Sequence, residues 1–492
     1  MPAGAASASS LPAEPATGLR ERVLGGLAWG SAARLFGQLI NWAMTLVVLR
    51  FLLPADYGLM AITAAIAGFL ESLGFVGFRD ALVQAAELTD ATRARAFAMV
   101  LATTAVTVGL LLLLAGPIAG FFHQPALAPL LRAMSLGLVF SAVAVLPKAT
   151  LDRALRLKDS ARVELVSGVA GGLTVLLLAI AGQGVWSLVI GQLLGAGLRA
   201  GGYFRLAPFW LAPRWAPLRE ARLLRFAGWR AGDYSVWYLS TQIDVLIIGR
   251  ILGDQAVAIY AVARTIAALP VTKTATVLNS IAAPAFSRIQ HDPALAGAYL
   301  GKSMRLLSFI AFPIFFGITA TAPEIVPVVL GGNWAAAVLP LQIIALGMAI
   351  RPAGTVAPAL LIGLGHARSV FHNTLLGLGL FTVAFLLGSH WGIVGVSLAS
   401  AIVFPLQLLQ MLVRVRAATR VGLGAMLGPM LPPLLCALAM LAVLAALRGP
   451  LGGWSPAARL PVLVGVGAVS YIGAAALICR KLLRELLGLL RG

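Results

Sequence analysis

The chain has 492 residues, of which 60% are hydrophobic and only 11% charged, and its mean hydropathy is +0.95. A soluble domain of that composition lacks the polar groups to cover its surface, so the balance places the chain in a membrane. The formal net charge of +20, from 37 Lys and Arg against 17 Asp and Glu, would point to nucleic acid in a soluble protein. Here the basic residues fall between apolar runs, as membrane topology requires, and no nucleic-acid partner is expected.

Residues 1–22, rich in Ala, Ser and Pro, lack a basic start followed by a short apolar run, so they read as a disordered cytoplasmic tail rather than a cleaved signal. A hydrocarbon core of about 30 Å needs about 20 apolar residues per helix, and only helices satisfy their own backbone in lipid without closing a barrel. Runs of that kind predict about fourteen spans, at 25–49, 56–78, 95–121, 127–147, 162–182, 184–204, 225–249, 255–283, 304–322, 335–362, 369–388, 391–413, 426–447 and 459–479. Under this layout most Lys and Arg share one side, and only Arg50, Arg250, Arg448 and Arg459 remain on the other. That asymmetry makes the first side cytoplasmic, with both termini on it.

Trp29, Leu46, Arg50 and Leu52 recur 200 residues later as Trp229, Leu246, Arg250 and Leu252, each set opening a basic-then-apolar span that ends in Arg. The repeat predicts two six-helix lobes, 23–208 and 209–420, with a final pair of spans and a cytoplasmic tail in 421–492. The loops on the sparse side are too short to hold a catalytic domain. The chain therefore reads as a transporter, not an enzyme.

Charged side chains inside spans are costly and so are informative. Arg34, Gln38, Asn41 and Thr45 follow one face of the first span, and Arg230, Tyr234, Trp237, Thr241 and Asp244 follow one face of the seventh. The two stripes would wall a hydrophilic cleft. The eighth span adds Arg264 and Lys273 on either side of Pro270, and the tenth adds Arg351 before Pro352. Arg34, Arg230 and Glu71 lie near the cytoplasmic end, where snorkelling or local pairing competes with cargo contact, and Arg230 also has Asp233 at i+3. Arg264 and Arg351 lie too deep for that. Asp244 and Glu71 are the candidates for H+ or Na+ coupling; no cofactor or metal is expected, because the histidines lack ligand spacing, Cys436 and Cys479 lie apart in apolar runs, and no phosphate-binding Gly-rich loop occurs.

Leu52-Leu53-Pro54-Ala55-Asp56-Tyr57-Gly58, Pro284-Ala285-Phe286-Ser287-Arg288-Ile289-Gln290, Phe312-Pro313, Glu324 and Gly331-Gly332-Asn333-Trp334 occur in that order. Together they resemble the polysaccharide exporters of the MOP flippase superfamily, in the branch of lipopolysaccharide, teichuronic-acid and xanthan-type exopolysaccharide exporters. The resemblance implies an all-α, two-lobed, V-shaped bundle in the bacterial inner membrane. Such a protein flips undecaprenyl-diphosphate-linked oligosaccharides to the periplasmic leaflet by alternating access, with a polysaccharide polymerase and chain-length or export machinery as its partners. It also implies that cations in the first, seventh, eighth and tenth spans meet the diphosphate, which here would be Arg34, Arg230, Arg264, Lys273 and Arg351. A multidrug exporter on the same scaffold, or a membrane-embedded glycosyltransferase, polymerase or ligase, is the alternative; the former would prefer acidic cleft residues and the latter a large outer loop.

Overall fold

The structure of the protein, a computed structural model, describes residues 37, 40, 44–74, 78–79, 82, 89–209, 212–214, 221–270, 292–480 and 482. Among these residues every regular element is helical. In chain order they are α1 (Pro54–Gly74), α2 (Asp90–Phe121), α3 (Leu127–Arg153), α4 (Leu157–Ile180) and α5 (Val185–Leu206). There follow α6 (Ala221–Ile251), α7 (254–270), α8 (Pro293–Ile325), α9 (Val338–Met348) and α10 (Val356–Gly363). The last four are α11 (Ala367–Gly388), α12 (Gly392–Thr419), α13 (Leu431–Leu447) and α14 (Pro456–Ile478).

Nine segments of the described residues are long and apolar enough to cross a membrane, and one of them, Arg368–Thr419, holds both α11 and α12 around a single tight turn at Ser389–Trp391. Each of the helices α1 to α14 overlaps an expected span, whereas the π-helical turn Val326–Leu330 falls between two such spans. Most of the first expected span and the second half of the eighth lie outside the described residues, as does the Pro284 to Gln290 motif.

Helix boundaries follow local chemistry. Thr89 caps α2 by accepting from the Thr92 amide, Asp292 caps α8 by accepting from Leu295, and Ser455 caps α14 by accepting from Ala458. Between caps, outward faces carry large apolar side chains; Leu110, Leu112, Leu113 and Leu114 of α2 are all exposed, as lipid contact demands. Inward contacts use small residues instead. A Cβ added to Gly171 of α4 would sit 2.8 Å from the Gly191 carbonyl of α5, so the two backbones touch directly.

Helices from the two halves of the chain meet most tightly where α1 packs on α6. Ser72 Oγ and Ser235 Oγ are 2.8 Å apart, and Tyr238 donates to the Ala64 carbonyl at 3.2 Å over the bare surface of Gly68. At one end of the bundle the connecting loops continue this seam. Trp334 Nε1 donates to the Leu49 carbonyl at 2.9 Å while its ring meets Tyr57 edge-on, with centroids 5.8 Å apart. Arg50 donates to the Val328 carbonyl at 2.7 Å, Gln124 to Asp254 at 3.2 Å, and Arg250 to His123 Nδ1 at 3.1 Å. Gly58 lies so close to the Asp254 carbonyl that no side chain fits there.

The motif from Leu52 to Gly58 thereby acquires a physical meaning. Asp56 accepts from the Leu53 amide at 3.2 Å and from Val185 at 3.0 Å, so one carboxylate finishes the start of both α1 and α5. Tyr57 and Gly58 then face the other half. The same end also anchors the α13–α14 hairpin, where Arg448 donates to the Ala320 carbonyl and Arg459 pairs with buried Glu324 at 3.2 Å. Arg50, Arg250, Arg448 and Arg459, the four arginines expected on the sparsely charged side, thus each hold elements together.

Candidate functional site

A chemically mixed cavity has a volume of about 800 Å³, in the range of sites that hold small molecules. Each of its walls is one face of a helix. From α6 come Trp237, Ser240, Thr241 and Asp244, at i, i+3, i+4 and i+7; from α7 come Tyr260, Arg264 and Ala268 at four-residue steps. On the other side α11 presents Asn373, Thr374, Phe381 and Phe385, and α12 presents Ser400, Phe404, Gln407 and Met411.

The fifth wall is the break between α9 and α10. Pro352 has no N–H to continue the helix, and the chain there makes only the single turn Arg351–Gly354 before α10 resumes. This interruption turns Arg351 into the cavity, where it is exposed.

Arg264 and Arg351 thus share one chamber but are held differently. Arg264 Nη1 donates to Asp244 Oδ2 at 2.5 Å and to the Thr241 carbonyl at 2.9 Å, with Nη2 3.5 Å from Gln242 Oε1. The side chains of this pair are 26% and 7% exposed. Asp244 Oδ1 also accepts from the Val245 amide at 2.8 Å. Arg351 instead stacks on Phe404, with Cζ 4.7 Å from the ring centroid. Asp244 is the lone carboxylate among the described residues lining the cavity, so two guanidiniums face one negative charge among these residues. A chamber whose described lining is net positive and rich in hydroxyls and amides suits an anionic, polar guest.

Of the sequence-derived candidates, Arg264, Arg351 and Asp244 are brought together here. Glu71 is not among the lining residues; it is exposed and accepts from Ser141 Oγ at 2.7 Å. Arg34, Gln38, Asn41 and Lys273 lie outside the described residues, and of Arg230 only the backbone is described. All the described lining residues belong to 237–411, on helices of the second half of the chain. Phe404, Asn373 and Gln407 escaped the reading of the sequence. Ser400, Phe404 and Gln407 share one face of α12, but no candidate on that helix was available from the sequence to start such a stripe.

A family model described as "Polysaccharide biosynthesis protein" matches residues 47–339. The "Lipopolysaccharide biosynthesis protein WzxC" of Escherichia coli is 23% identical over 388 residues, covering 78% of this chain and 79% of the relative. The "Succinoglycan biosynthesis transport protein ExoT" of Rhizobium meliloti is 27% identical over 463 residues, covering 90% and 91%. Among solved structures, the lipid II flippase MurJ in its inward closed conformation superposes with a TM-score of 0.77 at 15% identity, covering 92% of this chain and 99% of that one. An inward-facing multidrug resistance MATE family transporter of the MOP superfamily gives 0.60 at 15% identity, covering 78% and 96%. These two structural likenesses concern the fold.

Proposed function

The chain belongs to the polysaccharide biosynthesis protein family and carries the MOP-superfamily transporter fold, and from that premise we propose that it flips an undecaprenyl-diphosphate-linked oligosaccharide from the cytoplasmic to the periplasmic leaflet. The observation that carries this reading is Arg351, a cation without a carboxylate partner among the described cavity-lining residues, presented to the open space of the chamber beside the Arg264–Asp244 pair. A bare cation within a span is disfavoured, and its retention is explained by an anion that visits. Guanidinium suits a diphosphate because its fork bonds two phosphate oxygens at once.

In this mechanism Arg351 receives the diphosphate, and the phosphate oxygens then compete with Asp244 for Arg264. A carboxylate displaced from its arginine takes up a cation or a proton, which gives Asp244 a route to ion coupling; Glu71, hydrogen-bonded on α1, is the second candidate. The sugars lie along the polar faces of the chamber and the polyprenyl tail stays in lipid. Alternating access moves lobe 23–208 against lobe 209–420, with 421–492 as an appended pair and tail, and both termini cytoplasmic. A polysaccharide polymerase and chain-length machinery consume the product. A positively biased chamber disfavours a cationic drug as cargo.

The test is export of polymer by cells carrying Arg351→Ala or Arg264→Ala, with membrane insertion checked by fractionation. Polymer falls to background in each, and the lipid-linked intermediate accumulates on the inner leaflet. Normal export by both variants sinks the proposal.

A further inference from the structure

One side chain in the chamber is not explained by charge. Asn373, in the second turn of α11, is 3% exposed and lines the cavity, yet its Oδ1 has no hydrogen-bond partner. A buried amide with an unpaired end is strongly disfavoured.

The surroundings say what would pair it. A metal cation would meet two guanidiniums and a single carboxylate already held by Arg264, and among the described residues no three His, Cys, Asp or Glu are grouped so as to hold a metal ion. A neutral hydroxyl or amide N–H is the partner that fits. A second amide lies close by. Gly377 follows Asn373 by one turn on the same face, and a Cβ added there would be 2.5 Å from Gln407 Nε2, so glycine lets the Gln407 side chain cross α11 at this level. Aromatic faces complete the setting, for Phe381 and Phe404 pack edge-on with centroids 5.4 Å apart and both line the chamber. Side-chain amides beside aromatic faces match a sugar ring, which carries hydroxyls on its rim and C–H bonds on its faces.

We propose that Asn373 and Gln407 form a hydroxyl-reading subsite for the sugar attached directly to the diphosphate. Phe404 fixes the order, since its ring supports Arg351 and it precedes Gln407 by three residues on the same face of α12. The phosphate held by Arg351 therefore places the first sugar, rather than a distal one, against the two amides. This inference rests on the flippase reading above and assigns it a selectivity element.

The test is binding by the full-length protein in lipid nanodiscs, with four probes: undecaprenyl diphosphate alone, and the same lipid carrying one glucose, one galactose or one N-acetylglucosamine. The wild type binds at least one sugar-bearing lipid about tenfold more tightly than the bare lipid, as expected for a buried hydrogen bond completed by the ligand. In Asn373→Leu this ratio collapses toward one, whereas in Arg351→Gln all four affinities fall together and the ratio survives. Gln407→Leu carries the same expectation, so a leucine at 373 that fails to fold does not shelter the idea. A wild-type preference that persists in either amide variant overturns the subsite and leaves the flippase reading standing, as does equal wild-type affinity for all four probes. Binding of none of them by the wild type overturns both.

Discussion

At the loop end of the bundle, Arg50, Trp334, Gln124 and Arg250 each find an acceptor on the opposite half of the chain, whereas in the chamber Arg351 faces open space and Asn373 keeps an amide end unpaired. Both regions place polar groups among apolar helices. The first spends them on closing the molecule against itself, and the second leaves them to be completed by a guest. Polar residues in a membrane bundle are thus divided by whether their partners are internal, a property that depth in the membrane does not reveal.

The sharpest way to break this contrast is at the internally satisfied ion pair of the chamber. Arg264→Ala leaves Asp244 buried without its counter-charge, a change that costs about 3–5 kcal/mol when one partner of a buried pair is removed. Thermal unfolding in detergent should show a large drop, and Arg264→Ala combined with Asp244→Ala should recover most of it without recovering export. A single variant as stable as the wild type would mean the pair is not the buried, internally satisfied unit described.

Next in size is Gly58→Ala, where the new methyl group overlaps the Asp254 carbonyl. Overpacking of this kind costs about 1–3 kcal/mol. Faster amide exchange at 251–254 is the expected sign that the seam has parted. Trp334→Phe keeps the ring against Tyr57 but removes the donor to the Leu49 carbonyl, for a loss of about 1 kcal/mol, read as lower stability and a more open loop end. The smallest effect belongs to Phe404→Leu. Losing the ring under Arg351 should weaken binding of undecaprenyl diphosphate by about 0.5–1 kcal/mol, while Phe404→Trp retains it.

Much of the architecture was legible because lipid imposes a length and a polarity on every span. The expected span at 369–388 coincides with α11 within two residues, and that at 95–121 shares its end with α2, which begins earlier, at Asp90, because Thr89 supplies the cap. Arg264 and Arg351 stood out as cations deep within apolar runs. Their environments did not. Asp244 is 20 residues from Arg264, across a helical hairpin, and only the packing of α6 on α7 identifies it as the partner. Asn373 and Gln407 carry no charge and sit in separate helices, so nothing in either local window distinguishes them from a snorkelling or surface-facing amide. Long-range pairings are hidden for the same reason: Arg459 meets Glu324 across 135 residues, and the buried thiols of Cys436 and Cys479 lie 3.9 Å apart across 43.

Val326–Leu330 forms a widened turn that ends at Gly331, whose φ is +93°. The final carbonyls of any helix have no later residue to bond them, and here the one at Val328 is taken by Arg50 from 278 positions earlier. A winding finished by a distant arginine stays finished only while that arginine is docked. Separation at this end should therefore fray the tip of a helix at the same moment, and exchange of the amide hydrogens at 329–331 becomes a clock for the movement.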